Sequence, residues 1–464
     1  MYVFFGQRSV GAFLLAVIFG TSSSLAQTEI ASLEREAKRN DSDTVNRIRP
    51  LYTSVIANYL NQTDGMMLSE IIKRAFETNG EIKIARLEVD KARARLTQAR
   101  LRSNPTLEVE QSSGRLVGSP GDGQLSVGFS IPLDVYGQRG RRMDLAKAEI
   151  TLKEAEVTAR QRELASQVFT AYTDALTSLR ELQVLEELLD LDARTVQFVQ
   201  IRVNEGETAP LELSLLQTEV ERLRARRQLT EGKLQSAISS LKFYAGVAPE
   251  ETLKLREEIS TATIPLLPST IETSITVGLQ NRPEIRLAEL DEQLASAGLR
   301  LIRAQSRPDV TAYTRYSQGR SGFDDPRGEF FQRDRSLTFG LAIGLPVFNK
   351  NQGAKAEAEI SIRQAQERRL FAEHVIRNQV TTAFQRIEAA KRSLAILETA
   401  VLPRSRENIE TIRRVYELGE LKITDLIAEQ RKLLDANRDL IETLTERYRA
   451  QTDLFTALGI TLEN

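Results

Sequence analysis

Few side chains in this chain of 464 residues could form a catalytic or metal-binding site. It contains no Cys, so thiolate nucleophiles, disulfides and thiolate metal sites are impossible. The single histidine, His374, lies in a long predicted helix, and a lone imidazole is typical of a surface residue rather than a metal ligand. No Ser-His-Asp set, phosphate-binding loop or metal cluster is recognisable. We therefore expect no enzyme activity, no cofactor and no metal site.

The balance of charges indicates which partners to expect. There are 63 basic and 64 acidic residues, which gives a formal net charge of -1 at pH 7 and predicts no attraction to nucleic acid or anionic lipid. Charged residues make up 27% of the chain and aromatic residues only 6%, with no Trp. This composition favours long amphipathic helices over a thick aromatic core.

The predicted secondary-structure elements occur twice along the chain. Gly140 and Gly353 precede two long polar segments, Gly206 and Gly419 follow them, and both pairs differ by 213 positions. The first segment has no Gly or Pro over 65 residues and would span about 100 Å as a helix. The second is interrupted only by Pro403, where we expect a kink. Such lengths and a two-fold repeat predict a mainly α protein built on coiled coils.

Each long helix is predicted to turn back at its far end. Gly206 and Gly419 end the incoming helices, and Pro210 begins the first outgoing one. Around both turns the apolar residues step by three and four, which is the pattern of antiparallel helical hairpins. Asp192 interrupts the stripe in the first half, and Gln430 and Asn437 are interposed in the second.

Shorter helices, about Leu68–Arg102 and Arg282–Ala304, are predicted ahead of each pair of strands. Short alternating segments before each long helix predict four β-strands, the first of each pair over roughly Thr106–Ser113 and Asp309–Gln318. Large apolar residues share one face with period 2, opposite small or polar residues, which is typical of a transmembrane barrel strand. The expected lipid-facing side chains are Val127, Phe129, Ile131, Phe339, Leu341 and Ile343. An ordinary soluble hairpin is the alternative. Four strands cannot close a barrel, so spanning a membrane would require several copies of the chain.

The ends and boundaries of the repeats complete this prediction. Residues 1–26 read as a cleaved signal peptide, with Arg8, an apolar core and small residues before Gln27. Because position 27 is not Cys, lipid attachment there is not expected. We predict an N-terminal extension over 27–67, a first repeat over 68–246, a linker over 247–271 and a second repeat over 272–464.

In this order of elements the chain resembles the TolC-type outer-membrane efflux proteins. The motifs Asn104-Pro105 and Arg307-Pro308 contribute to the resemblance, as does Tyr416-x-x-Gly419 followed by Ile423-Thr424-Asp425-Leu426. The run from Leu345 to Gly353 is most similar to the heavy-metal subgroup. The resemblance implies a homotrimer with a twelve-stranded barrel in the outer membrane and a twelve-helix tunnel in the periplasm. It further implies docking on a periplasmic adaptor and an inner-membrane pump.

The resemblance also implies a gate at the helical turns. The family's Tyr falls on Tyr416 and its first Asp on Asp425, whereas the Arg and second Asp positions hold Leu421 and Ala428. Lys422 is a candidate to replace the missing cation. Three copies of Asp425 would form an anionic ring that favours cations, or Asp425 is only a helix N-terminal residue favoured by the macrodipole. The turns at Gly206, Pro210 and Gly419 would contact the adaptor.

The function implied is that of the outer-membrane channel of a tripartite efflux system, with divalent heavy-metal cations as the expected cargo. Three alternatives remain open: drug or small-molecule efflux, type I protein secretion, and a soluble periplasmic coiled-coil adaptor. An adaptor would normally have one hairpin and a separate β-domain rather than two equal halves.

Overall fold

The computed structural model describes residues 54–114, 122–262, 264, 267–326 and 328–460. The predicted signal peptide and residues 27–53 of the predicted extension lie outside the described residues. The first half contains α1 (Ile56–Tyr59), α2 (Leu68–Thr78), α3 (Gly80–Arg100), β1 (Thr106–Ser113), β2 (Gly123–Leu133), α4 (Gln138–Asn204) and α5 (Pro210–Tyr244). The second half contains α6 (Ile271–Asn281), α7 (Pro283–Gln305), β3 (Asp309–Asp325), β4 (Gly328–Gly344), α8 (Gln352–Ile396), a π-helical turn (Leu397–Val401), α9 (Leu402–Glu417) and α10 (Ile423–Leu458).

The strands form one four-stranded antiparallel sheet in the order β1-β2-β3-β4. Both β3 and β4 run for 17 residues, so β3 extends well beyond the predicted end at Gln318. Within the described residues, β1 and β4 pair on one side only and leave two open edges. The sheet joins the two repeats, because β2 of the first pairs with β3 of the second.

The two faces of this sheet differ in polarity. One row across the strands is apolar and exposed: Val109, Val127, Tyr316 and Leu337. The next row, on the opposite face, is small or polar: Glu108, Gly128, Arg315 and Thr338. In this second row an Arg315 guanidinium nitrogen lies 3.4 Å from a Glu108 carboxylate oxygen. Alternation of this kind suits a sheet with an apolar environment on one side and water on the other.

The long helices agree with the prediction, except at their starts and in one shorter helix. α4 is unbroken over 67 residues. It begins at Gln138 rather than at Gly140, after Gly137 with a positive φ of 71°. The predicted helix Leu68–Arg102 is wrong, because Asn79 is extended and divides it into α2 and α3. The Asn79 side chain accepts a hydrogen bond from the backbone N–H of Glu81 (2.8 Å) and so caps α3.

The second long helix is interrupted near the predicted kink. Its hydrogen bonding changes to the π pattern over Leu397–Val401, immediately before Pro403. Proline has no backbone N–H to donate to the preceding turn, which accounts for the local change. The helix α6 was not predicted; it begins at Ile271, where the expected linker ends.

Shorter helices stack end to end beside the long ones. The C-terminal end of α5 meets the α2–α3 junction, where Asn79 Nδ2 donates to the Tyr244 carbonyl (3.1 Å) and Thr78 Oγ1 donates to the Ala245 carbonyl (2.8 Å). The C-terminal end of α10 meets the α6–α7 junction, where the guanidinium groups of Arg162 and Arg282 both donate to the Thr456 carbonyl. These donors satisfy carbonyl groups that a helix end leaves without intrahelical partners.

An apolar core lies where α8, α10 and α6 meet. Ile376 and Val380 of α8 pack with Leu454 and Leu458 of α10. Gly278 of α6 allows close approach, since a Cβ there would lie 3.1 Å from the Ala457 carbonyl oxygen. None of the helices within the described ranges combines the length and apolar composition needed to cross a bilayer.

We predict that Gly459→Ala destabilises the protein by about 1–3 kcal/mol or more, because Gly459 has a φ of 76° and a Cβ would lie 2.8 Å from the Asn281 backbone. Gly232→Ala is the matched control, because Gly232 is exposed within α5 with open space around it. It should stabilise the protein by about 0.5–1 kcal/mol. Thermal unfolding followed by far-UV circular dichroism measures both. Equal stability of the two variants would contradict the stacked α10–α6 junction.

Candidate functional site at the hairpin tips

The long helices end in two helical hairpins, which we call hairpin A (α4–α5) and hairpin B (α9–α10). Gly206 and Gly419 close the incoming helices in the left-handed conformation, with φ of 79° and 83°. In hairpin A the backbone N–H of Glu207 donates to the Arg202 carbonyl (2.9 Å), and in hairpin B that of Glu420 donates to the Val415 carbonyl (3.2 Å). These bonds form the same helix-ending motif twice, and they confirm the prediction that both glycines end the incoming helices.

Tyr416 connects the two hairpins at their tips. Its side chain is 2% exposed, and its hydroxyl donates to Glu212 of α5 (3.2 Å). The ring packs edge-on against Phe198 of α4, with 6.4 Å between ring centroids. Arg202 lies over the same Phe198 ring and donates to the Tyr416 carbonyl (3.4 Å). Burial, followed by the negative charge of Glu212, raises the pKa of Tyr416 to about 12, so its phenol remains a proton donor at neutral pH.

The other predicted gate residues lie apart from this contact. The Asp425 carboxylate accepts a hydrogen bond from the backbone N–H of Lys422 (3.2 Å), which places it in the first turn of α10. Both side chains are exposed. The geometry of Asp425 is that of a residue stabilising a helix N-terminus, which is the alternative considered from the sequence. In the described residues the cation beside Tyr416 is Arg202, not Lys422.

Further links join the hairpins farther from the turns, among them the following two. Arg431 of α10 forms an ion pair with Glu219 of α5, with 2.7 Å between nitrogen and oxygen. Gln430 of α10 donates to Asp192 of α4 over 2.6 Å. We call these two links and the Tyr416–Glu212 and Arg202–Tyr416 bonds the tip contacts. Each pairs a group of one repeat with a group of the other.

Sequence reasoning found only part of this set. Tyr416 came from the motif, whereas Glu212, Arg202 and Arg431 were missed because their partners lie about 200 residues away in the sequence. The sequence did contain a signal for the remaining link, between Gln430 and Asp192. Asp192 and Gln430 were both noted as polar residues within apolar stripes, and such residues are often paired across a helix interface.

The arrangement suits conformational control rather than bond chemistry. Across the parts of the chain that the structure describes, no group of three or more His, Asp or Glu side chains could hold a metal ion. The tip contacts are hydrogen bonds and ion pairs between two helical hairpins, and these can break and re-form without altering either hairpin.

The turns and the sheet faces hold the other predicted residues. Gly206, Pro210 and Gly419 are exposed at the ends of the hairpins. Pro210 is the first residue of α5. The expected lipid-facing side chains are exposed, apart from Ile131, which is half-buried: Val127, Phe129, Ile131, Phe339, Leu341 and Ile343. Their contacts with adaptor or lipid remain predictions.

Known proteins share this architecture. The chain matches the family model described as outer membrane efflux protein over residues 71–247 and 275–460. The cobalt-zinc-cadmium resistance protein CzcC of Cupriavidus metallidurans is 24% identical over 412 residues, which cover 88% of this chain and 93% of CzcC. The cation efflux system protein CusC of Escherichia coli K12 is 24% identical over 408 residues, which cover 84% of this chain and 85% of CusC.

Solved structures agree at the level of the fold. A crystal structure of CusC matches this chain with a TM-score of 0.64 at 21% sequence identity, covering 89% of this chain and 96% of the CusC chain. The matched ranges of the family model include nearly all of both repeats, with both strand pairs and both helical hairpins. The resemblance found in the sequence is thereby confirmed: the chain belongs to the outer membrane efflux protein family.

Proposed function

We propose that this protein is the outer-membrane channel of a tripartite efflux system and that it exports divalent heavy-metal cations. The proposal rests on the different structures at the two ends of the long helices. A sheet with one apolar and one polar face lies at one end of the long helices. Two linked helical hairpins lie at the other. This is the arrangement expected of a pore that crosses a membrane and closes at a distance from it.

The open edges of the sheet support assembly as a homotrimer. Unpaired backbone groups on β1 and β4 could not be satisfied by lipid, so neighbouring copies must supply partner strands. Three copies would close a twelve-stranded barrel above a twelve-helix tunnel. The exposed turns at Gly206, Pro210 and Gly419 would then meet the periplasmic adaptor, which connects the channel to an inner-membrane pump.

The metal cargo is supported by the relatives, which include a cobalt-zinc-cadmium resistance protein and a cation efflux protein. In a trimer, three exposed Asp425 carboxylates near the turns would add an anionic ring that favours cations. The metal ion is cargo here, so tight binding by the channel is not required. The pump selects the cargo, and the channel must only admit it.

We expect deletion of the gene to sensitise cells to zinc, cobalt, cadmium, copper or silver, and the intact gene to restore tolerance. Growth against graded metal concentrations, with drugs and detergents tested in parallel, measures this. Sensitivity to drugs or detergents with normal metal tolerance would contradict the cargo and leave the channel in place. Normal growth in every condition would argue against an efflux role.

We expect Tyr416→Phe to favour the open tip. The change removes a hydrogen bond to a carboxylate, worth about 1.5 kcal/mol or more, or about tenfold in the ratio of closed to open tip per protomer. Conductance of the purified protein in planar bilayers should therefore rise. Tyr244→Phe, at the opposite end of α5, is the matched control and should leave conductance unchanged. Equal conductance of Tyr416→Phe and the unmodified channel would rule out a closing role for Tyr416.

A further inference from the structure

One of the tip contacts is a buried pair of side chains, Asp192 and Gln430, in which two oxygen atoms lack a hydrogen-bond donor. Asp192 of α4 is 1% exposed and Gln430 of α10 is 7% exposed. Gln430 Nε2 donates to Asp192 Oδ1 over 2.6 Å. The other two oxygens of the pair, Asp192 Oδ2 and Gln430 Oε1, are buried and accept no hydrogen bond from any described residue. Buried acceptors of this kind are normally satisfied, so the pair lacks a donor.

A single proton shared between these two oxygens would supply what both lack. If Asp192 carries it on Oδ2, the hydroxyl donates to Gln430 Oε1 while Gln430 Nε2 donates to Oδ1. The carboxylic acid and the amide then form two parallel hydrogen bonds, and no polar atom of the pair is unsatisfied. A metal ion is the weaker explanation, because two oxygens are too few ligands. In the described ranges, moreover, no cluster of three or more acidic or histidine side chains could complete a site.

Burial, more than the surrounding charges, favours the protonated acid. Glu219 of α5 faces it and is held by Arg431 of α10 and Arg222 of α5. On α10, Glu429 is paired with Lys432, and on α9, Arg406 lines a small cavity with Asp190 and Arg194 of α4. Of the identified influences on Asp192, burial raises its pKa most, the Gln430 hydrogen bond opposes this, and the Glu219 charge adds to it. The result is a pKa of about 6.

We propose that Asp192 and Gln430 form a proton-dependent latch that holds hairpin B against hairpin A and releases it when the acid ionises. The latch rests on the proposed channel function, since it would regulate opening of the same tips. Ionisation removes the donor to Gln430 Oε1 and leaves a carboxylate in an apolar interface close to Glu219. Separation of α10 from α4 exposes that carboxylate to water and relieves the cost.

The structure of hairpin B provides a place for the movement. The π-helical turn Leu397–Val401 and Pro403 interrupt the helix between α8 and α9, whereas α4 runs unbroken to its turn. Bending is therefore easier in the second repeat than in the first. Release of the latch would allow α9 to bend at this hinge, whereas α10 is unbroken over Ile423–Leu458 and would tilt as one rod.

The direction of the pH dependence follows from the two pKa values. The ordinary value for Asp is 3.8, which applies when the side chain is in water, and the latched value is about 6. Below the ordinary pKa of 3.8, Asp192 is mostly protonated in both states and the latch has its full strength. The ratio of latched to released tips then falls by up to about tenfold per pH unit until the pH reaches the latched value. Above that value Asp192 is ionised in both states, and the ratio no longer changes.

The chain allows a fluorescence test without background, since it has no Cys and no Trp. Leu418→Cys carries a bimane label, and Ile201→Trp provides a short-range quencher; both positions are exposed and flank the Arg202–Tyr416 contact. In the purified full-length protein we expect strong quenching at pH 4 and progressive loss of quenching towards pH 6. Asp192→Asn should remain quenched throughout, because its amide N–H can donate to Gln430 Oε1 at any pH.

Two matched controls isolate the Asp192 titration. Asp190→Asn makes the same change two residues earlier, at an exposed side chain paired with Arg194 over 2.7 Å, and should keep the unmodified response. His374→Gln removes the single histidine and should also keep it. A flat profile in the unmodified protein, or an unchanged profile in Asp192→Asn, would overturn the latch.

A second measurement does not depend on tip movement. The infrared difference spectrum between the unmodified protein and Asp192→Asn at pH 5 should contain the carbonyl band of a protonated carboxylic acid, and its absence would also overturn the latch. Both readouts are independent of cargo. If the purified protein shows the latch response while the deletion strain tolerates metals normally, the proposed cargo is refuted and the latch is not.

Discussion

The backbone groups at the two edges of the sheet impose the strongest constraint on this protein. β1 and β4 each leave a row of N–H and C=O groups without partners in the described chain. The apolar face of the same sheet is exposed over most of its residues, although Ile131 is half-buried, so the chain alone neither pairs its edge backbone groups nor covers its apolar surface. Lipid can cover the apolar face but cannot pair the edges. Further copies of the chain can, and a closed ring of copies would give the long helices a common axis.

The long helices extend away from the sheet. α4 alone extends about 100 Å at about 1.5 Å per residue. The shorter helices cover the same length only by stacking end to end, with the Asn79 amide and the Arg282 guanidinium bonded to the carbonyl groups at the junctions. The two repeats therefore contain similar elements, but their long helices differ in how easily they bend. Hairpin A continues an unbroken helix, and hairpin B follows a π-helical turn.

Local patterns in the sequence predicted the repeated elements, because they depend on neighbouring residues. The absence of Gly and Pro predicted α4, and Gly206 and Gly419 predicted the turns. The break at Asn79 was missed because an Asn within an otherwise helical pattern is ambiguous until its side chain is seen to cap the next helix. The partners of Tyr416 could not be found in this way. Glu212 lies 204 residues earlier, and only the folded pairing of hairpins brings the two together.

We expect three copies of the chain to form one channel. Native mass spectrometry of the protein, purified from membranes in mild detergent, measures the number of copies. A trimer gives a single dominant species with the mass of three mature chains. A dominant monomer or dimer would contradict it, because the open edges of the sheet would then have to be satisfied in another way.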